Sequence, residues 1–287
     1  MRSKLQLLSA MGIFGTIGIF VKYIPLPSAT IAFCRGVLGV VFLILIMLLT
    51  RQKPDRKAIR KNGVLLLLSG AAIGLNWVLL FEAYRHTSVA IATVCYYLAP
   101  LFLILMSPLL GERLNSKKLL CVLFAFGGMA LISGVTETAA VTFDQMKGIL
   151  LATGAAVFYA SVMLMNKKLS PIPAYDKTVV QLSAASAVLI PYLLLTEGFS
   201  FGSLSGTSWL LLAIVGIVHT GIAYALYFGS MKDLPAHTIA IFSYFDPVLA
   251  VILSTVILKE PLSIWGIIGT VLVLGSALYS ELPDKKK

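Results

Sequence analysis

Residues 97–100 read Tyr97-Leu98-Ala99-Pro100, and residues 244–247 read Tyr244-Phe245-Asp246-Pro247. Each tetrapeptide sits inside a long apolar stretch, and the match extends past its edges. At the same offset Gly74 meets Gly221, Leu79 meets Leu226 and Phe81 meets Phe228. After a one-residue shift Glu112 meets Glu260, Leu114 meets Leu262 and Gly127 meets Gly275. The chain reads as two similar halves. Each half holds five apolar spans, an odd number, so the second copy enters the membrane upside down. An inverted repeat with matched prolines inside the membrane is a sequence pointer to a transporter.

Composition sets the same frame. Of 287 residues, 59% are hydrophobic and 12% charged, and the mean hydropathy is +0.94, which excludes a soluble globular domain. Ten candidate spans, each about 18–24 residues long, match the apolar thickness of a bilayer. They run roughly 5–23, 29–49, 63–84, 88–110, 118–135, 147–166, 174–196, 207–230, 237–258 and 262–280. The expected fold is all-α and membrane-integral, with ten transmembrane helices in two inverted five-helix repeats. The first repeat covers 1–135, an outer linker 136–146, the second repeat 147–280 and a basic tail 281–287. Lys22 at the end of the first span aligns with Lys167, so that span belongs to the repeat rather than to a cleaved leader.

The net charge of +11 follows topology and not nucleic-acid binding. With the N-terminus inside, Arg2, Lys4, Arg51, Lys53, Arg56, Lys57, Arg60, Lys61, Arg113, Lys117, Lys118, Lys167, Lys168, Lys177, Lys232 and Lys285–Lys287 fall on inner segments. Only Lys22, Arg85, Lys147 and Lys259 fall on outer ones. This asymmetry places both termini in the cytoplasm. Anionic lipid near residues 51–61 is an expected partner. Trp209 and Trp265 stand at outer span ends, where indoles anchor well. Cys34, Cys95 and Cys121 have no metal or redox spacing and read as small packing residues. No metal, cofactor or nucleic acid is expected; the partners are a small-molecule substrate and membrane lipid, and the chain is a monomer or homodimer.

A charge at mid-bilayer costs about 2.5–3.5 kcal/mol on insertion scales, so each one needs a reason. Arg35 lies about 9 Å inside the second span and Glu82 near the outer end of the third, depths close enough for an ion pair. A structural clamp, a snorkelling arginine, an outer gate and an anchor for a substrate carboxylate all fit. Asp246 lies roughly 14 Å into the ninth span. Pro247 follows it and frees the Ser243 carbonyl. A kinked helix with a free carbonyl beside a carboxylate can hold a cation or proton, or the aspartate can simply cap the break or bond to a neighbouring hydroxyl. Pro100 and Pro247 mark the expected helix breaks. The charged groups are not repeated: Asp246 aligns with Ala99, Glu82 with Gly229 and Arg35 with about Gln181. That asymmetry favours a site over fold maintenance. Around them stand Asn76, Trp77, Tyr96, Tyr97, Tyr159, Gln181, His219, Tyr224 and Tyr244. Singly each reads as helix packing; together they suggest a cavity of π faces and hydroxyls suited to amphipathic or cationic solutes. His219 is the second candidate proton relay. Gly12, Gly15 and Gly18, Gly70 and Gly74, and Gly266 and Gly269 make close-approach stripes that fit static packing and rocking equally.

The segments Ala32-Phe33-Cys34-Arg35, Tyr84-Arg85-His86-Thr87-Ser88, Pro100 to Gly111-Glu112 and Pro247 to Lys259-Glu260, in this order and spacing, resemble the drug/metabolite transporter superfamily, in particular bacterial ten-span members with two EamA domains. The resemblance covers nearly the whole chain. It implies a bacterial inner-membrane secondary carrier, commonly exporting amino acids or other small metabolites by alternating access. It also implies a central pocket from spans one to four and six to nine, here reaching Trp77, Tyr97, Tyr224 and Tyr244, with the fifth and tenth spans peripheral. Many members carry a tryptophan in the first span of a half; Phe14 and Tyr159 stand there instead. The expected function is export of a small metabolite such as an amino acid, with Asp246 carrying the proton or binding a cationic group. An importer or a facilitative carrier of cationic, amphipathic or lipid-like solutes is the alternative. The sequence carries no G-x-x-x-x-G-K-[ST], H-E-x-x-H or G-x-S-x-G motif, and no filter-like segment. An ATP-driven pump, an intramembrane enzyme and a channel therefore rank lower.

Overall fold

The computed structural model describes residues 2–110, 116–132, 142–196, 204–231, 234, 239 and 242–282. Among these every regular element is helical. The first half contains α1 (Arg2–Lys22), α2 (Ser28–Leu49), short α3 (Arg56–Lys61), α4 (Gly63–His86), α5 (Val89–Tyr96), α6 (Ala99–Met106, continued by a tight turn Ser107–Leu110) and α7 (Ser116–Ile132). The second contains α8 (Phe143–Lys167), α9 (Ala174–Leu195), α10 (Gly206–Ala213), a wide π-turn Ile214–Ile222, α11 (Ala223–Met231), α12 (Phe245–Ile257) and α13 (Ile264–Glu281). Seven helical stretches are long and apolar enough to cross a membrane, and Leu119–Ile132, Phe245–Ile257 and Ile264–Tyr279 are shorter apolar helices. Two of these three adjoin residues outside the described set, where the expected spans 118–135 and 237–258 continue. The motif residues Gly111 and Glu112, with Arg113, Lys232 and Lys285–Lys287, also lie outside it.

Helix starts are set by local chemistry. Ser88, Thr142, Ser205 and Ser263 each accept a backbone N–H of the first turn that follows, contacts that contribute about 1 kcal/mol apiece. α2 and α9 begin directly after Pro27 and Pro173, where a fixed φ suits helix entry. The faces turned outward are apolar: Leu48, Leu68, Leu123, Leu195 and Val271 are all exposed. The inside holds small and polar residues such as Ser69, Asn76, Gln181 and Thr220. These polar residues are a minority in a mainly apolar core, and their place inside rather than on the apolar surface is what a bilayer solvent selects.

Most packing crosses between the halves. α4 lies against α8 and α9, α2 against α9 and the π-turn, α1 against α11 and α12, and α5 against α8 and α12; α7 and α13 pair with each other. Glycines permit close approaches between the halves, Gly15 and Gly74 among them. A Cβ at Gly15 would stand 2.8 Å from the Asp246 carbonyl oxygen, and one at Gly74 would stand 2.8 Å from that of Ala185. Neither helix pair could sit this close with a side chain in between.

The ends of the bundle are defined by their contacts. Lys22 closing α1 meets Glu260, and His86 closing α4 meets Asp144 in the first turn of α8, so these groups share one end, the far end. At the opposite end Asn62 bonds to the Ser170 backbone, Asp55 N–H donates to Asp176, and Lys117 donates to the Leu282 carbonyl. α1 starts and α13 finishes there, so it is called the terminal end.

The helix breaks fall slightly upstream of the prolines expected to cause them. α5 stops at Tyr96 and α6 starts at Ala99, while α12 starts at Phe245. Pro100 and Pro247 thus occupy first turns, where a missing N–H leaves no hydrogen bond unmade. The residues at the breaks are Tyr97 and Tyr244.

Candidate substrate site

Arg35 is buried within α2. Its Nε donates to Thr220 Oγ1 at 2.8 Å, and its guanidinium carbon lies 4.2 Å from the Trp77 ring centroid and 5.7 Å from that of Phe81. Thr220 can accept because its own hydroxyl proton goes five residues back, to the Val215 carbonyl at 3.2 Å. That spacing belongs to the π-turn, a feature that recurs at functional sites. The two terminal amino groups of Arg35 have no hydrogen-bond partner among the described residues. Sequence reading missed Thr220. Its signal was the run Ile214-Val-Gly-Ile-Val-His-Thr-Gly-Ile222, whose β-branched residues and glycines make a poor α-helix.

The Arg35–Glu82 ion pair expected from depth does not form. Glu82 accepts from Ser28 Oγ at 2.7 Å and faces His86 at 3.2 Å and Arg85 at 4.0 Å. Arg35 instead rests on Trp77, five residues and about 7.5 Å deeper along α4 than Glu82. Stacking and the Thr220 bond draw the guanidinium inward, away from the rim.

Asp246 stands in the first turn of α12, and its Oδ2 accepts from the Tyr97 hydroxyl at 2.7 Å. The same hydroxyl lies 3.4 Å from the Ser243 carbonyl, the group Pro247 leaves without a helical donor. Tyr97 and Tyr244, the matched residues of the two halves, have ring centroids 6.0 Å apart. The two breaks therefore meet at the repeat interface. Next to them Tyr96 stacks on Tyr159 at 5.4 Å and edges Tyr97 at 6.1 Å. Tyr224 contacts Phe14 at 5.5 Å and Phe228 at 5.7 Å. Arg35 reaches this cluster along α4: its guanidinium stacks on Trp77, and the adjoining Asn76 lies 3.5 Å from the Tyr96 hydroxyl. One guanidinium, one carboxylate and a ring of tyrosines thus share a neighbourhood.

Other candidate residues are held by the protein itself. Gln181 spends its amide on Ser69 at 2.7 Å and Asn166 at 2.8 Å. Asn76 donates to the Ala155 carbonyl at 2.5 Å and lies 3.5 Å from the Tyr96 hydroxyl. His219 is buried against Thr16 Oγ1 at 2.9 Å, the Ile214 carbonyl at 3.3 Å and the edge of Phe20. Among the described residues no group of three His, Cys, Asp or Glu side chains could hold a metal.

Above Arg35 the far end holds a cavity of about 450 Å³ lined by Lys22, Ser28, Ile31, Phe81, Tyr84 and Arg85, among others. Its floor includes Phe81 and Tyr84, stacked 6.3 Å apart. Beside it Glu260 takes Lys22 Nζ at 2.8 Å, the Val89 N–H at 2.8 Å and the Ser254 hydroxyl. Ser254 in turn accepts from the Ala90 N–H at 3.3 Å. The ends of α1, α5 and α12 are tied at one carboxylate.

The profile of the EamA-like transporter family matches residues 2–134 and again 146–280. The chain belongs to that family. It is an EamA transporter of the drug/metabolite transporter superfamily, a multi-pass membrane protein and not an enzyme. This transporter is 32% identical to the "Uncharacterized transporter YxxF" of Bacillus subtilis over 96% of its own length and 88% of the relative's. It is 28% identical to an "Uncharacterized transporter" of Archaeoglobus fulgidus, over 93% of its length and 92% of the relative's. A protein known from a crystal structure shares the fold at a TM-score of 0.67 and 20% identity, with 96% of this chain and 95% of that one covered.

Proposed function

We propose that this EamA transporter exports a small zwitterionic metabolite, an amino acid being the best match, through alternating access in a bacterial inner membrane. The observation that carries the reading is the Arg35 fork: two terminal amino groups inside the membrane with no hydrogen-bond partner among the described residues, on a guanidinium stacked on Trp77 beside the Tyr96–Tyr97–Asp246 cluster. A planar guanidinium binds a carboxylate bidentately. Asp246 suits the ammonium group, and exchange of that ammonium for a proton would couple transport to a gradient. The basic terminal end supports a cytoplasmic orientation for both termini, and the double family match supports two repeats rocking about the Tyr97 and Tyr244 breaks. Lys22 and Glu260 would then close the outer exit. The tyrosine and phenylalanine walls favour a second reading, a facilitative carrier of amphipathic cations, but the buried charge of Arg35 opposes a purely cationic solute.

Counterflow in proteoliposomes, with labelled amino acids, amines and quaternary ammonium compounds, tests both. Saturable counterflow of an amino acid that is lost in Arg35→Ala and not restored in Arg35→Lys supports the zwitterion. Arg35→Ala should lose about 30–100-fold in apparent affinity, the worth of one charge-assisted pair of bonds. Cation counterflow that survives Arg35→Ala would replace the first reading with the second.

A further inference from the structure

α7 and α13 pack against each other toward the far end, where Gly128 and Gly269 face one another. Toward the terminal end the two helices part, and a cavity of about 450 Å³ lies between them. Leu120 and Phe124 line it from α7, and Val271 and Gly275 from α13. Leu120, Phe124 and Val271 are 53%, 57% and 66% exposed, so the groove opens on the membrane-facing surface of the protein. A Cβ built at Gly275 meets nothing within 4 Å. The glycine widens the groove and is not needed for helix contact.

One end of the groove is cationic. Lys117 lies on its wall, with Nζ held 2.7 Å from the Leu282 carbonyl and 4.9 Å from the Tyr279 ring centroid. The sequence is dense in positive charge around the two helix ends that frame this mouth, with Arg113, Lys117 and Lys118 before and within α7 and Lys285–Lys287 beyond α13. An apolar trough that ends at an ammonium beside a tyrosine matches the two parts of a phospholipid: chain in the trough, phosphate at the lysine, phenol at headgroup level. A second copy of the chain fits less well. A two-fold contact on this face would be isologous and would bring the basic ends of both copies together.

We propose that the groove between α7 and α13 is a binding site for one anionic phospholipid, with an acyl chain along Leu120, Phe124 and Val271 and its phosphate on Lys117. The site lies apart from the Arg35 chamber and does not depend on which solute is carried. Two variants separate its parts. Gly275→Leu fills the trough from an open position and raises helix propensity, so it blocks the chain without disturbing the fold. Lys117→Gln removes the headgroup charge and keeps a side-chain donor for the Leu282 carbonyl.

The experiment is native mass spectrometry of the full-length protein in detergent, titrated with phosphatidylglycerol or with phosphatidylcholine, with melting temperature as a parallel readout. The wild type should retain one phosphatidylglycerol in preference to phosphatidylcholine and melt higher with it. Lys117→Gln should lower that retention about fivefold, the worth of one basic residue at an anionic headgroup. Gly275→Leu should remove the retained lipid and the thermal gain while its lipid-free melting temperature stays at or above that of the wild type. Equal retention by the wild type and Gly275→Leu would overturn the site. Equal binding of the two lipids would overturn the anionic class. A wild-type dimer made monomeric by Gly275→Leu would show the groove to be an interface between copies instead.

Discussion

Thr220 contributes one hydroxyl, and that hydroxyl decides where Arg35 points. Its proton is committed to Val215, so the oxygen faces Arg35 as an acceptor, and Nε is held while the outer edge of the guanidinium stays free. Thr220→Val keeps the shape and removes the acceptor, leaving a buried charged donor unmatched. Apparent substrate affinity should fall about tenfold, near 1.5 kcal/mol, while Thr220→Ser stays close to wild type. Counterflow KM for the two variants checks this, and equal values would show that Trp77 alone orients the arginine. Individual residues were unevenly legible. Arg35 and Asp246 stood out because ionised side chains are costly in lipid. Thr220 did not, since a threonine in an apolar span is ordinary and its role arises only from the π-turn.

At the scale of elements, the far end is held by the carboxylate of Glu260, which joins α1 through Lys22, α5 through Val89 and α12 through Ser254. Parting α1 or α5 from α12 breaks the Lys22 or the Val89 bond, while the Ser254 bond holds the carboxylate to its own helix. Glu260→Gln retains the shape but gives up the charge, and Lys22→Ala removes one of the three ties. Both should favour the open far end. In a cysteine-free background, Ile31→Cys on the cavity wall should label several-fold faster with an impermeant maleimide in either variant. Unchanged labelling would mean that the barrier is the Phe81–Tyr84 floor and not the latch. The sequence aligned Glu260 with Glu112 and Lys22 with Lys167 but did not join Lys22 to Glu260. The two are far apart in the chain, and only the packing of α12 beside α1 brings them together. The breaks show the converse case. Their existence followed from the prolines, and their position did not, because a proline is best tolerated in the first turn after a break.

At the scale of the whole molecule, fold class was the most legible property. An all-helical membrane protein follows from composition and span length, because lipid leaves the backbone few other ways to satisfy itself. Charge asymmetry gave an orientation that remains to be measured. Reporter fusions at the N- and C-termini should both report the cytoplasm; a periplasmic signal from either would invert the proposed direction of every gate. What the sequence left unread is which candidate side chains the protein uses on itself. Gln181, Asn76 and His219 were proposed as cavity lining on depth alone. Depth does not fix rotation about a helix axis, and their partners lie on α4, α8 and α1.

The Tyr97 hydroxyl on Asp246 gives the empty carrier a ligand of its own. A solute ammonium that takes the Oδ2 side of this carboxylate displaces the phenol, so loading there is an exchange whose net gain is smaller than either contact by itself. The evicted phenol belongs to the residue that ends α5, and its loss from α12 unfastens the two broken helices from each other at the moment of occupancy. Affinity and mobility are then set against one another. Tyr97→Phe should bind solute several-fold more tightly and turn over more slowly, because occupancy no longer frees the joint. A parallel fall of KM and maximal rate in counterflow would be the signature, and a fall in rate with unchanged KM would assign Tyr97 to packing alone.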